Sequence, residues 1–234
     1  MFAGVNICPM TSSASPRGSY HHGDLRNALL DAAEEQAVTG GPQAVSVRAA
    51  ARDVGVTPTA AYRHFAGLDQ LLEAVKDRAM VQLGASMTDR LRARGESGDR
   101  VERALGNLAA LGCGYVDFAL AKPGLFRTAC ARGGFTPGDR PKDQPDPFTR
   151  LTAQLDELAE AGYIPARNRA FADVTVWSAI HGLVMLILDG PLREMPADMR
   201  QEALLQLLLQ VARGLGDNDL PGDIEVVVAA ESRG

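Results

Sequence analysis

The stretch SVRAAARDVGVTPTAAYRHFAGLDQLLEAV, Ser46 to Val75, decides how the chain folds. Ser46 is placed to cap a short second helix, VRAAARDV, which ends at Gly55. Glycine tolerates positive φ, so the chain can reverse there. Thr57 caps a third helix with Pro58 in its first position, where a missing N–H is harmless. Gly67 is expected to break that helix, and a longer one to follow from about Leu68 into the 80s or early 90s. Ala49, Ala50 and Val54 are small or apolar enough to face a preceding helix. Val56 can plug the turn into the core, and Phe65, Leu71 and Leu72 can tie the motif to the fourth helix.

Upstream, Leu25, Ala28, Leu29, Ala32, Ala33 and Ala37 recur at three- and four-residue spacing with acids opposite. They predict a first helix capped by Asp24 and stopped by Gly40-Gly41-Pro42. Three short helices within about 45 residues, the last two joined by a tight glycine turn, form a helix-turn-helix pattern. The third helix is lopsided: it starts small and polar and ends in Tyr62, Arg63, His64 and Phe65. A core helix has no need of that asymmetry, whereas a helix entering the major groove does. Small residues let the backbone approach, and a threonine offers a hydroxyl to base edges or phosphate and a methyl to thymine. The positive end of the helix dipole also faces phosphate. Tyr62 and His64, at the far end, suit backbone phosphates, and Arg48 suits a phosphate or a guanine edge. The expected DNA-binding set is therefore Ser46, Arg48, Thr57, Pro58, Thr59, Ala60, Tyr62 and His64. The plainer alternative is that Thr-Pro only starts a helix and the small residues only permit close packing.

Composition bounds the rest. The 234 residues carry a net charge of −5, which argues against a general nucleic-acid coat. Residues 1–80 hold seven basic side chains against eight acidic ones, so geometry must supply what bulk charge does not. The three cysteines (Cys8, Cys113, Cys130) form no CxxC pair, and the four histidines form no HExxH, so neither a disulfide framework, a metal site nor a cofactor is suggested. His21 and His22, just before the first helix, read equally as an arm touching the DNA backbone or as exposed linker. No nucleophile elbow, phosphate loop or dinucleotide fingerprint is present, which speaks against an enzyme. No uninterrupted apolar run reaches the roughly 18 residues of a membrane span, and the N-terminus lacks a signal-peptide pattern, so a cytoplasmic protein is expected.

Beyond a charged loop, RARGESGD (Arg92 to Asp99), the pattern stays helical: Arg100 to Ala121, Pro123 to about Arg132, Phe148 to Ala161, Phe171 to Leu188 and Ala197 to Leu215. The fold class is all-α. The expected division is an arm at 1–19, a helix-turn-helix domain at 20–80, a ligand-binding and dimerisation domain at 81–215, and a loosely ordered tail at 216–234. Tyr115, Phe118, Phe126, Trp177, His181 and Met185 supply aromatic, soft and polar groups at helix-compatible spacing, and are the candidate lining of a mostly apolar pocket. Trp177, His181 and Met185 fall at i, i+4 and i+8, on one stripe of one helix. Each alone also reads as ordinary core. The last two helices are apolar enough to form a four-helix dimer face with a second copy.

Ser46 to Val75 closely resembles the DNA-binding domain of TetR-family transcriptional regulators, with its Gly-Val-Thr turn and Tyr-x-His-Phe ending. YHHGDLRNALLDAA (Tyr20 to Ala33) is similar to the first helix of one branch of that family. That branch carries a Trp-x-x-x-His-Gly motif, which Trp177, His181 and Gly182 match. The resemblance implies a homodimer that binds a pseudo-palindromic operator on double-stranded DNA, represses, and releases when a small molecule fills the C-terminal half. Where the family often has a lysine at the start of the fourth helix, this chain has Leu68, which takes a phosphate contact away. A helical ligand-binding or scaffolding protein with weak DNA affinity is the alternative.

Overall fold

The computed structural model describes residues 22–95, 98–131 and 147–216. Among these residues it is all α-helix and turn, with no β-strand. The arm at 1–19, His21, the loop at 133–146 and the tail from 217 lie outside the described residues.

The first helix, α1 (His22–Gly40), begins two residues before Asp24, so Asp24 is not its N-cap. Gly41 then turns the chain into a single 3-10 turn, Pro42–Ala44. Helix α2 (Val47–Val54) starts at Ser46, whose side chain accepts from the Ala49 amide at 3.5 Å. Val47, Ala50 and Ala51 are its buried residues, whereas Ala49 and Val54 are half-buried. Ala50 is thus buried as expected and Val54 packs against the core, with Val47 and Ala51 in the place of Ala49. Gln36 of α1 staples the pair: its amide donates to Asp53 Oδ2 at 2.8 Å and its oxygen accepts from the Ser46 amide at 3.0 Å.

At Gly55, φ is 77° and ψ 30°, the left-handed conformation. The Gly55 amide donates to Arg52 O at 3.0 Å and the Val56 amide to Ala51 O at 2.8 Å, closing the orphan carbonyls of α2. Helix α3 (Pro58–Tyr62) has only five residues and stops well before Gly67. Its last carbonyls are taken by i→i+3 bonds from the Arg63 amide (3.3 Å) and the His64 amide (2.9 Å). That tightening brings Phe65 round into the core, fully buried, with the Arg26 guanidinium 4.8 Å above its ring.

Helix α4 (Leu68–Arg94) is the longest helix among the described residues, 27 residues, or about 40 Å at 1.5 Å per residue. It passes residue 80 without interruption, so the expected boundary at 80/81 falls inside one helix. Helix α5 (Arg100–Ala121) opens with a reciprocal capping box between Asp99 and Glu102. Helix α6 (Pro123–Ala129) is shorter than predicted, because the chain turns at Cys130 and Ala131. There follow α7 (Pro147–Glu160), a short α8 (Ala166–Arg169) that the sequence did not suggest, α9 (Ala172–Leu188) and α10 (Ala197–Leu215).

By length and composition α5 could cross a membrane, an apolar stretch longer than its interruptions suggested. In the fold it lies against α4, α6, α7, α9 and α10, which explains its apolar character by burial on several sides. One continuous core runs from α1 through α4, α5 and α6 to Ile180 and Val184 of α9. A second cluster joins the start of α5, α7, the start of α9 and Leu215. Arg78 of α4 pairs with Asp31 and Glu34 of α1, and Gln82 donates to Glu34 at 2.6 Å while accepting from Lys122 at 2.7 Å. Helix α6 presses on the end of α1 so closely that a Cβ on Gly124 would sit 2.3 Å from Ala37 O. The head of the molecule and its α6 side are therefore in direct backbone contact.

Candidate functional site

Two features stand out: the surface around α3, and a cavity on the other side of α4.

The Thr57 side chain accepts from the Ala60 amide at 3.3 Å, leaving its hydroxyl proton able to donate outward. Thr57, Pro58 and Thr59 are exposed and Ala60 is half-buried, while Ala61 is fully buried on the other side of the helix. Tyr62 is 44% exposed, a large aromatic with nearly half of its surface open. His64 is half-buried in the turn that follows. Arg48 is exposed on α2, and Ser46 is half-buried at its cap. The structure thus leaves the predicted set accessible on two consecutive short helices. Arg63, exposed beside Tyr62, was not singled out from the sequence, although its position next to Tyr62 was a usable signal. Leu68 begins α4 with 44% of its surface exposed, an apolar residue at that edge.

The cavity has a volume of about 760 Å³, within the range of small-molecule sites. Its walls come from α4, α5, α9 and α10, with the end of α6 and the start of α7. Along α4, Lys76, Met80, Leu83 and Met87 line it at i, i+4, i+7 and i+11, one face of the helix. Tyr115, Trp177 and His181 also line it. The Tyr115 phenol lies 2.9 Å from His181 Nδ1, and the Trp177 indole donates to the same phenol oxygen at 3.4 Å. The phenol oxygen accepts from Trp177, and it donates to His181 Nδ1 or accepts from it according to which imidazole nitrogen carries the hydrogen. Burial holds the Tyr115 phenol well above its ordinary value and pushes His181 down, so both are neutral near pH 7.

The other predicted pocket residues do not reach the cavity. Phe118 and Phe126 are buried in the main core, and Met185 packs against that core. Phe126 stands edge-on to Tyr115 at 5.3 Å between ring centroids and lies 5.9 Å from His181. It supports the lining from behind. The reason is topological: α6 is wedged against α1 and α4, so its apolar face is consumed there. Among the lining residues that sequence reasoning missed, such as Met80, Leu83 and Met87, Lys76 is the charged one. It continues an apolar stripe, Leu72, Lys76, Met80, which was a readable sign that it turns inward.

Residues 29–75 match the family model for bacterial regulatory proteins of the tetR family, and residues 108–212 match a tetracyclin repressor-like C-terminal domain. The two matches together cover more than half of the chain. The chain belongs to the TetR family. Among its relatives is an HTH-type transcriptional regulator of Bacillus subtilis, YobS, described as uncharacterized. It is 28% identical over 165 residues, spanning 70% of this chain and 80% of YobS. A structure from Rhodococcus sp. RHA1, of unknown function, superposes with a TM-score of 0.67 at 27% identity, covering 85% of this chain and 98% of its own. A TetR-family regulator from Marinobacter aquaeolei VT8 shares the fold, with a TM-score of 0.59, 21% identity, and coverage of 83% and 96%. The TetR match at 29–75 contains the whole exposed helix-turn-helix, and the C-terminal match contains Tyr115, Trp177 and His181. The protein is a helix-turn-helix transcriptional regulator.

Proposed function

We propose that this TetR-family regulator is a dimeric repressor whose hold on a pseudo-palindromic operator is released by a small, mostly apolar molecule. The observation that carries the reading is the path of α4. Its first turn follows the exposed helix α3, and its middle turns line the cavity. A molecule seated against Met80, Leu83 and Met87 bears on the same rigid element that positions Thr59 and Tyr62. Residues 20–80 then serve as the reading head and 81–215 as the sensing and dimerising part, a division of labour rather than a break in the core. Trp177 and His181, the Trp-x-x-x-His-Gly pair, form the polar end of the sensing site with Tyr115.

Dimerisation is supported by the outward faces of α9 and α10. Val174 and Leu186 of α9 and Met199, Leu205 and Leu209 of α10 are exposed, as is Phe171 just before α9. Between Val174 and Leu186, at four-residue steps, stand Ser178 and Gly182. The stripe is bulky at both ends and small in the middle, a shape that admits a crossing helix from a second copy.

DNA fragments selected by the purified protein identify the operator, and gel-shift titrations on the selected fragment test the assignment. Thr59→Ala and Tyr62→Ala are expected to weaken binding about tenfold each, the loss of roughly one good contact, with the dimer intact. Unchanged titration curves for both variants remove the recognition-helix reading. If no palindrome is selected at all, the helical ligand-binding alternative, which the exposed Leu68 favours, takes its place.

A further inference from the structure

Resting on the reading of α3 as the recognition helix, we infer that Arg26 of α1 holds a phosphate of the DNA backbone, on the edge where Leu68 offers no positive charge. The register of α1 against α4 sets its place. Arg78 pairs with Asp31, and Gln82, one turn further along α4, donates to Glu34, about one turn further along α1. The two helices therefore run side by side in the same direction, and α1 residues before Asp31 lie level with the start of α4. Helical side chains lean toward the N-terminus of their own helix. Arg26, more than one turn before Asp31, thus reaches the junction of α3 and α4, where its guanidinium stands 4.8 Å above the Phe65 ring. Phe65 lies three residues after Tyr62 and three before Leu68, exposed side chains at the end of α3 and the start of α4.

The chemistry of the side chain fits that position. Arg26 is exposed, and among the described residues its guanidinium is engaged by the Phe65 ring and by no hydrogen bond or ion pair. Other arginines of the head are spoken for: Arg78 sits between Asp31 and Glu34, and Arg52 lies 3.6 Å from Asp53. Asp69 is the exposed acid at the start of α4, and it forms no ion pair with Arg26. A ring face attracts the cation without neutralising it, so the guanidinium N–H donors remain for an anion. It also holds the planar fork in place, so less side-chain freedom is lost when two N–H groups meet two phosphate oxygens. Phe65 is fully buried, which makes that support a fixed part of the core. Covering the ring would be served as well by a methionine; the positive charge adds something that packing does not need.

The test is the salt dependence of binding to the DNA fragment selected by the purified full-length protein, titrated between about 50 and 200 mM salt. In Arg26→Met the slope of log affinity against log salt should flatten by about 0.9 for each protomer bound. Affinity at the lowest salt should fall about tenfold, the loss of roughly one charged contact. Arg26→Lys should keep the slope, since the charge remains. Leu68→Lys added to Arg26→Met should restore it, because a cation returns to the same edge. Urea unfolding separates contact from packing: methionine still covers Phe65, so the midpoint of Arg26→Met should stay near that of the wild type. Arg26→Gln gives the same comparison of slopes if the methionine variant is unstable. An unchanged slope in both Arg26→Met and Arg26→Gln overturns the inference, and a lowered midpoint beside that unchanged slope assigns Arg26 to packing. Thr59→Ala, weakened in the same titrations, then shows that the reading of α3 stands without it. If the wild type selects and binds no fragment, the reading of α3 falls and this inference falls with it.

Discussion

At the scale of single residues, the turn between α2 and α3 depends on one glycine. Beyond its two chain neighbours, no residue comes within 4 Å of where a Gly55 Cβ would stand, so space does not select glycine there. The left-handed φ of 77° does. A β-branched residue held in that conformation costs on the order of 1–3 kcal/mol. Gly55→Val should accordingly lower the stability of the protein by about that much, read as a shifted midpoint in urea unfolding. An unmoved midpoint means the turn can adopt another conformation. The same residue was legible in the sequence, because a glycine between a capped helix and a Thr-Pro start has few other uses. The caps at Ser46 and Thr57 were legible for the same reason. Lys76 was harder, since a lysine in a charged helix reads as surface. Its place in the stripe Leu72, Lys76, Met80 was the one sign of an inward turn, and the packing around α4 decides it.

At the scale of elements, α9 matters most, because it lines the cavity with Trp177, Ser178 and His181 and also exposes Val174 and Leu186. The stripe Trp177, His181, Met185 was visible as spacing, yet the structure divides it. Trp177 and His181 reach the cavity, while Met185 packs against the core. Spacing gives the face of a helix and leaves the neighbour across from it undetermined. The polar edge built on α9 also gives the protein a pH response. Burial lowers the His181 pKa below its usual 6.5. The unfolded chain therefore takes up a proton at a higher pH than the native one, and stability rises with pH across that interval. The native state should lose stability as pH falls from about 6.5 through the lowered value, with the loss complete below it. The carboxylates whose pKa values are depressed, Glu157, Asp173 and Asp189, titrate at lower pH. Melting temperatures between pH 7.5 and pH 5 should decline in the wild type and flatten in His181→Gln. A parallel decline in both proteins assigns the effect to other groups.

At the scale of the whole molecule, two surfaces must serve together: the reading surface at α3 and the open face of α9 and α10. Val174→Asp combined with Leu186→Asp places charge on that open face without touching the protomer core, because both residues are exposed. Sedimentation should show the variant as a monomer, and operator binding should fall with it, since two half-sites then act separately. A variant that remains dimeric places the interface elsewhere. Charge sets a further expectation. The chain carries −5 overall, and among the described residues Arg26, Arg48, Arg52 and Arg63 are exposed cations around the reading helices. Operator affinity should therefore fall with salt along a shallow slope, since each phosphate neutralised adds about 0.9 to it. A steep slope shows that cations beyond these reach the DNA.

The sequence by itself determined the long helices, the caps at Ser46 and Thr57, the glycine turn and the lopsided α3. These depend on interactions within a few residues, and on a periodicity that every exposed or buried face must obey. It also placed the TetR-family pattern, because the motif is contiguous. The tertiary structure decided what lies between distant helices. It put Tyr115 beside His181 and Trp177, turned Phe118, Phe126 and Met185 away from the cavity, and drew Lys76 into it. It also ran a single helix across the expected domain boundary. Those outcomes depend on how α4, α5, α6 and α9 pack, and packing is set by the shapes of surfaces that meet across the whole chain.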